Sequence, residues 1–424
     1  MRKPGIVLFS LACGAALVGT GLLGSAIGQK SKLVIESWRN DDLQTWKTQI
    51  IPAFNKAYPD IEVVFAPSAP TEYNAALDAK LQGGTGGDLI TCRPFDKSLE
   101  LYQKGHLADL SGIKGMGNFS SVAKSAWQTD DGKATFCVPM ASVIHGFIYN
   151  KKIFSELKLA VPKTEAEFYK VLNTVKKNGK YAPLVMGTKD QWESATMGFQ
   201  NIGPNYWAGE DGRQGLLKGT AQYNKGGFLK AFEALAKWTP FLPTGYQSIA
   251  YPDAQNLFSL GKGAIYPAGS WDIGTFNAAK GLEFGAFKPP VPAGSKKCYI
   301  SDHTDIAIGM NANSANKEAA KTFLEWTTSE EFANIYSNAA PGFFSLNGKA
   351  KIKLTDPVAQ EFLSWRGECE STIRSSYQIL SRGTPNNETE LWANSAAVLN
   401  GSKTPAVAAN DVQKGLASWY KPTK

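Results

Sequence analysis

Apolar positions along this chain alternate between a short-strand rhythm and a helical one. "KLVIESW" (32–38) is a β-rich run that ends in the polar turn "RNDD". The next stretch, "LQTWKTQIIPAFNKAYPDI", brings Trp46, Ile50 and Phe54 to one face at helical spacing before Pro59 stops it. "IEVVFAP" predicts a strand, "TEYNAALDAKLQGG" a helix ended by Gly83 and Gly84, "DLITC" a strand, and "LELYQKGHLADLS" a helix end. Such alternation implies βαβ units and a mostly parallel sheet. It resumes after Pro139. "FIYNKKIFSEL" passes from strand to helix, and "PKTEAEFYKVLNTVKKNG" is a helix with Thr164 as N-cap, Glu167 three residues on and Gly179 after its last turn. "NKGGFLKAFEALAKWTP" and "NKEAAKTFLEWTTSEEFANIYSNAAPG" are further helices, and from about residue 355 the chain reads as largely helical.

The first 28 residues follow neither rhythm. Arg2 and Lys3 precede "GIVLFSLACGAALVGTGLLGSAIG", a run without charge, and a polar chain begins at Gln29. This is the pattern of a secretory signal, with Ala26 and Gly28 suited to cleavage before Gln29. An uncleaved anchor and a lipoprotein attached through Cys13 are the alternatives. The 424 residues exceed what one average core organises, so two lobes are expected. No composition break separates them, which suggests short crossings between lobes.

Charge narrows the partners. The 45 basic and 37 acidic residues give +8, spread along the chain without a basic run interleaved with aromatics, so nucleic acid is not an expected partner. Beyond the leader stand Cys92, Cys137, Cys298 and Cys369, which permit two disulfides in three pairings or free buried thiols. The histidines His106, His145 and His303 lack metal-ligand spacing, and no metal or other cofactor is expected. "GGTGGD" and "LGKGAIY" fit no phosphate loop, and neither a GxSxG elbow nor HExxH occurs. No carboxylate pair stands out as catalytic.

Aromatic placement is the unusual feature. Trp38 follows a strand, Phe95 sits in "TCRPFD", Trp192 in "TKDQWES", Trp271 in "AGSWD", and Phe343 in "PGFFSLN". Indoles at strand exits beside Asp, Asn and Arg suit a sugar, whose C–H faces stack on rings and whose hydroxyls need donors and acceptors. In open α/β sheets such sites lie beyond the carboxyl ends of the strands. Trp46, Trp238 and Trp326 fall at helical spacing and are assigned to the core.

"LVIESW", "IIPAFNKAYPDIEVVF", "LQGGTGGDLIT", "GHLADLS", "CVPMASVIHGFIYNKKIF", "FSLGKGAIYPAGSWDI" and "IAIGMNANSANKEAAKTFLEWTTSEE" occur in the order found in the extracellular solute-binding protein family 1 of bacterial ABC importers, which the chain resembles. The resemblance implies an α/β, type II periplasmic-binding-protein fold: two lobes, a three-crossing hinge, and a ligand held between. It assigns 29–141 with 299–340 to the N-terminal lobe and 142–298 with 341–424 to the C-terminal lobe. Crossings are expected near Ser142, between Ile273 and Tyr299, and near Pro341. Tyr149, Asn150 and Lys151 look structural, and Trp271 matches the family's stacking tryptophan.

The expected ligand-binding residues are Trp38, Arg39, Asp42, Phe95, Asp96, His145, Trp192, Trp271, Asp272, Asp302, His303 and Phe343. Asp302 and His303 in "SDHTDIAIG" stand where similar proteins often carry small glycines. The implied partners are a carbohydrate and ABC permease subunits, for a monomer in the periplasm. A glycan-processing hydrolase and a receptor for a non-sugar solute are the competing readings.

Overall fold

The computed structural model describes residues 30–422, so the expected leader lies outside the described residues. Ten strands carry the fold: β1 (Ser31–Ser37), β2 (Ile61–Pro67), β3 (Leu89–Cys92), β4 (Val138–Asn150), β5 (Ala182–Leu184), β6 (Gly263–Gly269), β7 (Phe284–Phe287), β8 (Tyr299–Met310), β9 (Phe344–Ser345) and β10 (Glu370–Thr372). Their path is β2-β1-β3-β8-β4-β6-β5, with β10 beside β8 and both β7 and β9 beside β4.

The βαβ reading holds at the outer strands, where β1 pairs with β2 and β3 in parallel and β5 pairs with β6 in parallel. The centre differs from expectation. There β4 and β8 run antiparallel to each other and to most of their neighbours, so the sheet is mixed and not mostly parallel. The reason is connectivity: each long strand carries the chain between lobes, and the two do so in opposite senses.

The inner half of β8 pairs with β3 of the N-terminal lobe through Cys92↔Ala307 to Leu89↔Met310, while its start, Tyr299–Ser301, pairs with β10 of the other lobe. One passage therefore lies inside β8, past the 273–299 segment expected for it. A second lies in β4, whose register shifts around Ala141, and the third runs through Pro341 into β9, which pairs with Ala141 and Ser142.

Local signals act as anticipated. Thr164 and Glu167 form a complete capping box, and Gly179 ends that helix at φ 76°. The Asn150 side chain accepts a hydrogen bond from the backbone N–H of Ile153, capping the helix that leaves β4. In the first helical stretch a π-helical turn spans Trp46–Ile50 just before Pro52, whose ring nitrogen has no hydrogen to donate. Trp46, Trp238 and Trp326 are buried in the core. The cysteines pair as Cys92–Cys137 and Cys298–Cys369, one disulfide in each lobe. No described helix is long and apolar enough to cross a membrane.

Candidate ligand-binding site

The turn carrying Trp271 is built by small residues and one carboxylate. β6 ends at Gly269, whose N–H donates to the Asp272 carboxylate at 3.2 Å, closing the turn. A Cβ on Gly269 would lie 2.1 Å from the Trp271 ring, so glycine is what lets the indole fold over the strand. The indole N–H donates to the Tyr251 hydroxyl at 3.1 Å, and that hydroxyl in turn donates to Asp272, which also accepts from the Gln255 amide at 3.0 Å. Asp272 is fully buried, and burial pushes its carboxyl up to about 7 in spite of those bonds. It is thus a positioning group beneath Trp271, with no surface of its own to offer a ligand.

A file of rings crosses from this turn to the other lobe. Trp271 meets His145 at 5.2 Å between centroids, His145 meets His303 at 5.3 Å, His303 meets Tyr377 at 5.3 Å, and Tyr377 meets Phe95 at 5.1 Å. Its first four members belong to the C-terminal lobe and the crossing strands, and Phe95 follows β3. The two histidines form an unusual pair. His145 Nδ1 lies 2.9 Å from the Thr196 carbonyl, His303 Nδ1 2.9 Å from the Thr304 carbonyl, and the two Nε2 atoms 3.1 Å apart. Three such contacts call for three protons, while two neutral imidazoles carry two. Burial, reinforced by Arg374, holds both imidazoles well below their ordinary range.

On the N-terminal side, Arg39 forms a two-pronged ion pair with Asp42 at 2.8 Å and lies over the Phe343 ring at 4.9 Å. Phe343 is therefore buried beneath Arg39. Trp38 carries the Arg93 guanidinium over its ring at 4.5 Å and Tyr73 at 5.6 Å, leaving 6% of its surface exposed against 8% for Trp271. Arg93 is anchored by Asn74 and the Pro70 carbonyl. Trp192 packs against Tyr251 at 4.8 Å and is partly exposed.

Two expected members are committed elsewhere. Asp302 is gripped by Arg366 through bonds of 2.8 and 2.7 Å and accepts from Ser371 at 2.8 Å. Side chains alternate along a strand, so Asp302 points away from the face that His303 presents. Asp96 pairs with Arg382 at 2.6 Å, and the same guanidinium holds Asp130 at 2.7 Å, linking the segment after β10 to the N-terminal lobe at the rim.

Sequence reasoning passed over Arg93, Tyr251, Arg374 and Tyr377. Arg93 stood two residues from Phe95, which was the available signal. Arg374 and Tyr377 follow β10 in an irregular segment where no periodicity marks them. Among the described residues no group of three or more His, Cys, Asp or Glu could hold a metal.

Residues 39–334 match the family model of the bacterial extracellular solute-binding protein. An uncharacterized ABC transporter extracellular-binding protein of Pyrococcus horikoshii is 28% identical over 57% of this chain, and the chain spans the same 57% of that relative, less than two thirds of its length. The multiple sugar-binding protein of Streptococcus mutans is 20% identical over 73% of this chain and 74% of its own. Among solved structures, the bacterial solute receptor AcbH, described as having an exclusive substrate preference for β-D-galactopyranose, superposes with a TM-score of 0.80 at 15% identity, covering 92% of this chain and all of its own. That likeness shows the type II periplasmic-binding-protein fold. With the family model matching well over half of its length, this chain belongs to the bacterial extracellular solute-binding protein family.

Proposed function

We propose that the protein captures a carbohydrate between its lobes and hands it to the membrane subunits of an ABC importer outside the cytoplasmic membrane. The observation that carries this reading is a continuous file of rings from Trp271 through His145, His303 and Tyr377 to Phe95, with guanidinium groups laid over neighbouring rings: Arg39 over Phe343, Arg93 over Trp38 and Arg374 over Tyr377. Ring faces suit the apolar side of a pyranose, and a mixed rim of donors and acceptors suits its hydroxyls. The names of the Streptococcus mutans relative and of AcbH, both describing sugar binders, point the same way.

A thermal-shift screen of mono- and oligosaccharides tests the proposal. A ligand at a hundred times its dissociation constant adds about 2.7 kcal/mol to stability, and at least one sugar is expected to raise the melting temperature without being converted. A panel in which no sugar shifts the transition would remove the carbohydrate assignment. Product appearing on incubation with oligosaccharides would instead favour a hydrolase.

A further inference from the structure

The positive charge of this chain is concentrated in a stretch that contains no basic run. With Arg2 and Lys3 set aside from the 45 basic residues, 43 oppose 37 acidic ones, and residues 151–180 hold eight lysines against three glutamates, five of the six excess charges. That stretch folds into the helices Lys151–Glu156 and Glu165–Asn178 of the C-terminal lobe, and all eight lysines are exposed. Its carboxylates are already engaged. Glu156 accepts from Lys180 at 2.9 Å, which draws the two helix ends together, and from the Tyr181 hydroxyl at 2.6 Å. Glu167 closes the capping box, and Glu165 accepts from the Tyr206 hydroxyl at 2.9 Å. Among the described residues, Lys180 alone of the eight lysines has a carboxylate within ion-pair distance. Seven ammonium groups therefore stand uncompensated on this part of the lobe and favour an anionic partner.

A cavity of about 340 Å³ opens along the second helix, within the size range of small-molecule sites. Glu165, Tyr169 and Asn173 line it from the helix, four residues apart and thus on one stripe about 12 Å long. Lys237 and Phe241 complete the walls, and the small side chains of Ala166 and Ala293 leave the space open. The Tyr169 hydroxyl donates to the Ala234 carbonyl at 3.3 Å, which pins the ring by its tip, and Phe241 tilts against it at 6.0 Å between centroids. Lys176 lies over Phe241 at 5.5 Å and Lys237 lies 3.8 Å from Glu165, so ammonium groups border the cavity as well. None of the rings in the file from Trp271 to Phe95 lines it.

This combination selects among anionic partners. A layer of lipid headgroups is flat and would meet the lysines while leaving a recessed ring unused. A neutral glycan would use the ring and leave the ammonium groups unmatched. A chain of acidic sugars does both: a pyranose face packs on an aromatic ring, its hydroxyls bond Asn173 and Glu165, and its carboxylates meet the lysines.

We propose that this face is a second binding surface, which takes an acidic polysaccharide with one sugar ring in the cavity and its carboxylates along the lysines of 151–180. It goes beyond the capture of a solute between the lobes and operates without it, holding the protein on an anionic glycan through many weak contacts.

The test measures binding to immobilised polygalacturonate, to its methyl ester, which keeps the rings and loses the charge, and to phosphatidylglycerol vesicles. Wild type is expected to bind polygalacturonate at least tenfold more tightly than the ester or the vesicles, with affinity falling as salt rises. A variant carrying Lys170→Gln, Lys176→Gln and Lys177→Gln should lose at least tenfold in affinity. Ala293→Trp, which fills the cavity from an exposed position, should lose at least threefold. Melting temperatures near that of wild type establish that both variants fold. Absence of binding to polygalacturonate, equal binding to its ester, tighter binding to the vesicles, or full affinity in either variant would overturn the inference and leave the reading of the gap untouched.

Discussion

The two faces of the crossing strands make an instructive pair. On the inward face, β4 and β8 present His145 and His303, a pair with unfinished hydrogen bonding: three imidazole contacts served by two protons. On the outward face Asp302 has its partners in place, while the nearby Thr304 hydroxyl is buried without one among the described residues. Arg366 bonds Asp302 of β8 twice, donates to the Ser142 hydroxyl of β4 at 2.7 Å, and lies over the Phe344 ring of β9 at 5.4 Å. One side chain therefore touches all three crossings. Polar groups with every partner in place fix a geometry, and polar groups without partners are poised to take up a guest.

Substitutions can separate the two faces. The largest effect on binding is expected from Trp271→Ala, which removes the ring at the inward end of the file. It should weaken sugar affinity at least tenfold, about 1.4 kcal/mol, with a cooperative melting transition retained. Unchanged calorimetric affinity would take Trp271 out of the site.

On the outward face, Arg366→Ala should do the reverse. Its guanidinium is partly exposed, which screens the pair, so a stability loss of about 1 kcal/mol is expected, with affinity within about threefold of wild type. A double-mutant cycle with Asp302→Ala should return a positive coupling energy. Zero coupling would mean the two side chains act independently.

A third change probes the buried support under the platform. Asp272 binds its proton more tightly folded than unfolded, its carboxyl moving from 3.8 to about 7, so its contribution to stability is greatest at low pH and is lost as pH rises between those values. Relative to wild type, Asp272→Asn should therefore become more stable by about 3 kcal/mol on going from pH 4.5 to 7.5. Parallel stability curves for the two proteins over that range would refute the assignment. Glu193, fully buried and with its carboxyl pushed well up by burial, predicts the same sign for Glu193→Gln.

The smallest effect belongs to the rim. Arg382→Ala removes two ion pairs at the rim, one to the mostly covered Asp96 and one to the exposed Asp130, and should raise the dissociation constant by about two- to fivefold, with a weaker dependence on salt than wild type. An unaltered salt dependence would show that these pairs do not favour the arrangement seen here.

Why Asp302 was singled out is itself a lesson about strands. Alternation puts Asp302 and His303 on opposite faces, and the sequence gives no sign of the register shift that falls at Asp305. It does not say which face turns inward, because β8 is packed on both sides: Ile300, Ser301, His303 and Ile308 are all buried, so no polar edge sets the phase. Helix ends were more legible. Thr164 with Glu167, Gly179 and Asn150 act through neighbours three or four residues away, which sequence lays out directly.

Trp271 was legible for the same reason, since Gly269 and Asp272 that shape its turn are adjacent to it. The rest of the site required tertiary structure. Tyr377 reaches Phe95 from nearly 300 residues away, and Arg93 covers Trp38 from 55 residues away, contacts that leave no local periodicity. The cysteine pairing lay beyond sequence because all three combinations were open until β3 and β4 were placed side by side with β8.

That pairing has a mechanical consequence. Cys92–Cys137 closes a loop of chain on one side of the crossings, and Cys298–Cys369 closes another on the opposite side. Neither sulfur bridge straddles the axis between them. Oxidation stiffens each jaw as a separate body and sets no covalent limit on the angle at which the jaws meet.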